Sequence, residues 1–142
     1  MKTVRQLLDE KGSTVWTIAP DASVYEAIAL VAEKNIGALL VVQDGKPVGL
    51  VSERDYARKV ILKGHTAGTL SVRDIMTRRP VCTDPDETLE QCMAVITERR
   101  VRHLPVLECG DIIGLISIGD LVKAIIDEQQ FVIEQLERYI SG

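Results

Sequence analysis

The sequence predicts a mixed α/β (α+β) fold: two copies of one β-α-β-β-α unit, packed as a pseudo-two-fold pair, with an extended C-terminal helix. The first observation behind this is an internal repeat. Slid by 65 places, Gly49-Leu50-Val51-Ser52-Glu53-Arg54-Asp55 falls on Gly114-Leu115-Ile116-Ser117-Ile118-Gly119-Asp120, and Pro20-Asp21 falls on Pro85-Asp86 with no gap. A fixed internal period decides an architecture before any local reading does. The second is an alternation, in each copy, of apolar residues at helical spacing with short continuous apolar runs. The third is size: 142 residues make one body or two small halves, and each half alone would bury too little surface to be more than marginal.

The first copy opens on a strand, Val15-Trp16-Thr17-Ile18, and turns at Pro20-Asp21. Ser23 with Glu26 three places on is a capping box, which satisfies the orphan N–H groups of a helix start. Val24, Ile28, Val31 and Ala32 follow on one face, and Gly37 is the expected C-cap after Asn35-Ile36. Ala38-Leu39-Leu40-Val41-Val42 reads as a buried strand. Asp44-Gly45 is a hairpin turn, Val48-Gly49-Leu50-Val51 returns antiparallel, and a helix runs from near Ser52 to about Leu62. The second copy repeats this order. Val81-Cys82-Thr83 is its first strand, Thr88 and Gln91 cap a helix with Leu89, Cys92, Met93 and Ile96 inward, and Leu104–Leu107 with Ile112–Ile116 make the hairpin. The last helix starts near Ser117.

A further motif precedes each copy: Thr3-Val4-Arg5-Gln6-Leu7-Leu8 resembles Ser71-Val72-Arg73-Asp74-Ile75-Met76, here at an offset of 68. On this reading residues 3–64 form the first domain, 65–70 a linker (His65 lies in it), 71–127 the second domain and 128–142 a helical extension. The final helix carries Ile125, Ile126, Val132, Ile133, Leu136 and Ile140 beyond the point where the first copy stops. That stripe must bury against its own module or against a partner chain, and the limited room on a paired module favours the partner.

Aromatic residues are scarce at 4%, so Val, Ile, Leu and Ala build the core, and a net charge of −4 argues against a nucleic-acid footprint. The basic run Arg99-Arg100-Val101-Arg102-His103 reads either as a cationic helix end or as a phosphate contact. Cys82, Cys92 and Cys109 fit no common zinc spacing and read as buried or half-buried free thiols. With no signal peptide, lipidation motif or membrane span, the expected location is cytoplasmic.

Ser52 with Asp55, and Ser117 with Asp120, stand where a strand hands over to a helix. The plain alternative is a helix cap worth about 1 kcal/mol. The pair recurs at the repeat offset, however, each time directly after Gly-Leu-Val/Ile, at a helix start whose N–H groups and dipole favour an anion. A serine hydroxyl can donate to a phosphate or ribose oxygen. An aspartate repels phosphate but accepts from vicinal ribose hydroxyls. Arg54 adds a cation where the second copy has Gly119, so the two sites are expected to be unequal.

These residues resemble the CBS domain, named after cystathionine β-synthase, and the tandem resembles a Bateman module over about residues 3–127. Asp74-Ile75-Met76-Thr77, Val101-Arg102-His103-Leu104-Pro105-Val106 and Gly114 to Leu121 are typical of that family. The resemblance implies two clefts between the paired domains for adenosine-containing ligands such as AMP, ADP, ATP, NAD or S-adenosylmethionine. Carried over residue by residue, Thr17, Ile18, Gly37, Ala38, Leu39, Ser52, Arg54 and Asp55 make the first site. Arg78, Val81, Thr83, Arg102, His103, Leu104, Pro105, Ser117 and Asp120 make the second. The resemblance also implies a flat homodimer, signal transduction to a downstream protein and allosteric regulation. The expectation is therefore a sensor rather than an enzyme, with neither catalytic residues nor a metal. The alternatives are a structural dimerisation module with no ligand, and nucleic-acid binding.

Overall fold

The computed structural model describes residues 1–141 and divides the chain into two compact units, one made of residues 1–13 and 81–142, the other of residues 14–80. The units thus cut across chain order. The chain begins in one, builds all of the other and then returns.

In the unit of residues 14–80, β1 (Thr17–Ile18) lies parallel to β2 (Ala38–Gln43), and β2 pairs antiparallel with β3 (Lys46–Ser52). The helix α2 (Val24–Lys34) is capped by Ser23, whose Oγ accepts the Glu26 N–H. Val24, Ala27 and Val31 face inward, against Leu39, Val41 and Val51 of the sheet. β3 leads into a short α3 (Glu53–Tyr56) that widens into a π turn over Ala57–Ile61. A 3-10 turn at Val72–Asp74 then returns the chain to the sheet.

The other unit starts with α1 (Val4–Lys11) and continues, after residue 80, with α4 (Leu89–Arg99), β4 (His103–Glu108), β5 (Asp111–Ser117) and α5 (Ile118–Ser141). Its core gathers Val4, Leu7 and Leu8 of α1 with Leu89, Cys92, Leu104, Val106, Ile116 and Leu121. Backbone bonds from Val4 N–H to the Glu87 carbonyl and from Leu89 N–H to the Lys2 carbonyl fasten α1 in place.

The repeat holds at fine detail. Both hairpins carry a register shift, between Val41 and Val42 and between Val106 and Leu107, which are 65 apart. Both close on two residues with positive φ, Asp44-Gly45 and Cys109-Gly110, the turn whose twist suits a right-handed ribbon.

Four local expectations change. The α2 C-cap is Asn35, left-handed at φ 53°, rather than Gly37; asparagine tolerates that region. The first strand is Thr17–Ile18 rather than Val15–Ile18: Trp16 contributes only its carbonyl, which accepts from Leu40 N–H at 3.0 Å. Val81–Thr83 is no strand: only Thr83 bridges, its N–H reaching the Pro105 carbonyl at 2.9 Å and its carbonyl accepting from Leu107 N–H, before Asp84 turns the chain with an Asp86 N–H bond at 2.8 Å. Of the cysteines only Cys92 is buried; Cys82 and Cys109 are exposed.

The glycines that open the repeated strand–helix motif have a packing cause. A Cβ on Gly114 would lie 2.7 Å from Leu8 Cδ2, and one on Gly49 would lie 2.8 Å from both Met76 Sδ and the Thr77 carbonyl oxygen. Leu8 and Met76 are the matching residues of the two opening motifs, 68 apart. Each motif glycine is therefore a socket that receives the opening segment of the other repeat copy.

Urea unfolding should show Gly114→Ala costing about 1–3 kcal/mol through overpacking. Gly49→Ala should cost at least as much, because backbone cannot swing aside as a side chain can. Shortening Leu8 to alanine should cancel part of the Gly114→Ala loss, and strictly additive losses would refute the socket. A thiol reagent should titrate Cys82 and Cys109 in the folded protein and Cys92 only on denaturation. Cys92 is 1% exposed, and burial pushes its thiol pKa up, so it offers little thiolate.

Candidate functional site

Each unit carries one strand–helix corner. In the first, Ser52 caps α3: Asp55 N–H donates to Ser52 Oγ at 3.2 Å, while the Ser52 N–H (2.9 Å) and hydroxyl (3.1 Å) donate to Asp55 Oδ2. In the second, Asp120 N–H donates to Ser117 Oγ at 3.1 Å and the Ser117 N–H to Asp120 Oδ2 at 2.9 Å. The carboxylate turns back on the strand end because an N3 acid is within reach of the N-cap amide. The strand opposite finishes each corner: Glu53 N–H donates to the Gly37 carbonyl (3.1 Å) and Ile118 N–H to the Arg102 carbonyl (2.9 Å), again residues 65 apart.

Sheet register brings the other site residues alongside. Ala38 stands opposite Ser52 and Leu39 opposite Val51, with Thr17 and Ile18 beside Leu40 and Val41. His103 stands opposite Ser117, Leu104 opposite Ile116 and Pro105 opposite Leu115. Thr83 is bonded to Pro105, and Val81 packs against the core of that unit. Leu39 and Leu104 are fully buried, so only their backbone can face a ligand. Arg54 is half-buried in the first corner's helix.

Arg78 is grouped differently. It belongs to residues 14–80, the unit of Ser52 and Asp55, and not to the unit of Ser117 and Asp120. There Thr77 pairs with Leu50 through two backbone bonds of 2.8 and 3.0 Å. The nearby Asp74 carboxyl is held below its ordinary pKa by the Ser71 backbone N–H and hydroxyl, with Arg73 and Arg78 adding smaller attractions.

Two cations absent from the predicted sites meet the aspartates. Lys59 Nζ lies 3.1 Å from Asp55 Oδ1 and also donates to the Ile75 carbonyl at 2.8 Å. Lys11 Nζ, from the last turn of α1, lies 3.4 Å from Asp120 Oδ2. The i,i+4 spacing of Asp55 and Lys59 was a usable signal. Nothing local pointed from Lys11 to Asp120, because the two meet only through the exchange of opening segments. The side chains of Asp55 and Asp120 are 14% and 32% exposed, so the second carboxylate is the more open.

Among the described residues no cluster of His, Cys, Asp and Glu could hold a metal ion, and no helix is long and apolar enough to cross a membrane. The corners offer donors, an acceptor carboxylate and a cation. That is equipment for holding a polar, anionic ligand with vicinal hydroxyls.

Two small α/β units, each with a Ser-x-x-Asp corner after its hairpin, define a tandem-repeat protein of two like modules. The CBS domain family model matches residues 7–62 and 72–127, and the chain belongs to that family. It is 36% identical over 136 residues to the CBS domain-containing protein CBSX3, mitochondrial, of Arabidopsis thaliana, covering 92% of this chain and 66% of that one. The crystal structure of the CBS domain protein NE2398 is 54% identical, with a TM-score of 0.84 over 88% of this chain and 98% of that one. CBSX2, solved in complex with AMP, is 28% identical with a TM-score of 0.70, over 91% and 99% of the two chains.

Proposed function

We propose that this chain is a regulatory sensor that holds an adenosine-containing ligand (AMP, ADP, ATP or NAD) at its Ser52–Asp55 and Ser117–Asp120 corners. The carrying observation is that both copies build the same corner down to its cross-strand carbonyl bond, which a cap alone does not require. The AMP complex of CBSX2 supports the ligand class. Serine takes the phosphate side, and aspartate the ribose hydroxyls. The strand backbone at residues 38–39 and 103–105 faces the base, with Arg54 and Arg78 as cations. S-adenosylmethionine is the alternative occupant. The chain performs no catalysis in this reading and acts in the cytoplasm by passing its state to a downstream protein. A ligand shifts that state only through unequal affinity for two conformations.

A second reading rests on the caps themselves. Both aspartates already accept bonds from their own helix starts, so the corners could be wholly structural and the module could serve only dimerisation.

A melting series with AMP, ADP, ATP, NAD and S-adenosylmethionine separates the two. At about 100 times the dissociation constant a ligand stabilises by about 2.7 kcal/mol, several degrees at this length. Asp55→Asn and Asp120→Asn should each remove part of that shift. No shift with any compound supports the structural reading.

Homodimerisation belongs to the same proposal. Val122, Ile126, Phe131, Val132, Ile133, Leu136, Tyr139 and Ile140 of α5 are all at least 40% exposed, a face suited to a second copy. Sedimentation should show a dimer that the double substitution Ile133→Glu, Leu136→Glu weakens; unchanged association would assign the interface elsewhere.

A further inference from the structure

We propose that Lys11 is a ligand-binding residue of the Ser117–Asp120 corner, where it gives preference for a nucleoside phosphate over the free nucleoside. The inference rests on the nucleotide reading above and names a residue and a selectivity that reading does not contain.

Lys11 is delivered by a fixed element. The helix α1 is held by the Thr3–Gln6 capping box, by backbone bonds from Val4 to Glu87 and Arg5 to Pro85, and by the burial of Val4, Leu7 and Leu8. Leu8 fills the space that Gly114 leaves on β5, three residues before Ser117. The socket therefore sets the last turn of α1 beside the corner, and Lys11 is in that turn.

Its contact is an ion pair and not a tight hydrogen bond. At 3.4 Å, Nζ to Asp120 Oδ2 is longer than the usual N–H···O range. The Lys11 side chain is 27% exposed and the Asp120 side chain 32%. An ammonium has three donors, so one can stay on Asp120 while another reaches a phosphate oxygen. The second corner needs this cation. It carries Asp120, whose charge repels phosphate, and Gly119 stands where the first corner has Arg54. Lys11 offsets the carboxylate while leaving it ionised to accept from ribose hydroxyls.

Calorimetric titration of the full chain tests this, with AMP and adenosine as probes and Asp55→Asn as the common background so that the second corner is read. Lys11→Met should weaken AMP about tenfold, as loss of a charged hydrogen bond does. It should leave adenosine within about twofold, the margin of an uncoupled site. Lys11→Arg should keep the preference for AMP, and added salt should narrow it. Parallel loss of AMP and adenosine would overturn the proposal, since Lys11 would then only orient Asp120. Unchanged AMP affinity would overturn it as a surface pair without ligand. If the background protein binds neither compound, the nucleotide reading of this corner fails and takes the inference with it.

Discussion

The rest of the structure depends on two missing side chains. Gly49 and Gly114 leave sockets on their strands, and the opening segments fill them with Met76 and Leu8. Because the segment that fills each socket comes from the other repeat copy, neither unit is completed by its own copy alone: one borrows the opening segment of the second copy, and the other joins residues 1–13 to chain that resumes only at residue 81. The first unit waits for residues 71–80 and the second needs residues 1–13 from the far end of the sequence. A single methyl group in either socket would conflict with atoms less than 3 Å away, so the exchange and the glycine are one constraint. The same approach that fills the core also carries α1 to the second corner.

The corners show how one side chain can close a helix start and still keep acceptor positions open. A carboxylate offers about four lone-pair positions, and closing a capping box uses only part of them. In the first corner the carboxylate is also met on Oδ1 by Lys59, which is anchored in turn on the Ile75 carbonyl. In the second, the backbone bond and the ion pair both fall on Oδ2. Two copies that agree in backbone to the level of a bulge thus differ in charge placement and exposure. That difference arises from single positions: Arg54 against Gly119, and Lys59 against Ala124.

The repeat, the caps and the hairpins were legible in the sequence because each is local. Ser23, Thr88, Ser52 and Ser117 announce helix starts through bonds three residues long, and Asp44-Gly45 announces its turn. Strand ends were less legible. Val81–Thr83 has strand-forming residues, yet only Thr83 bonds the neighbouring strand before Asp84 turns the chain away. The partnership of α1 with residues 81–142 was illegible for a deeper reason. The offset of 68 shows that two segments are alike, and it cannot show which copy each one completes. Lys11 beside Asp120 and Arg78 in the unit of Ser52 were hidden with that choice, whereas the neighbours within a single hairpin follow from strand register.

The helix α5 poses the remaining physical question. Only Leu121 and Ala124 in its first two turns are fully buried, yet the helix runs 24 residues to Ser141. A lone helical arm of some 15 residues is marginal in water whatever its composition, and this arm is far from polar. Its apolar residues fall in two columns seven apart, Ile126, Ile133 and Ile140 and Ile125, Val132 and Tyr139, while a third holds Val122 and Leu136 with the polar Gln129 between them. A straight helix drifts about 20° per heptad against such columns, so a strict seven-residue spacing suits a neighbouring helix better than a globular surface. The N-terminal half of the stripe is already engaged, with Ile125 packed against the core and Leu121 inside it. Association through the rest would therefore extend a packing face that starts in the hydrophobic core, and would couple the far end of the helix to the corner at its beginning through a single rigid rod.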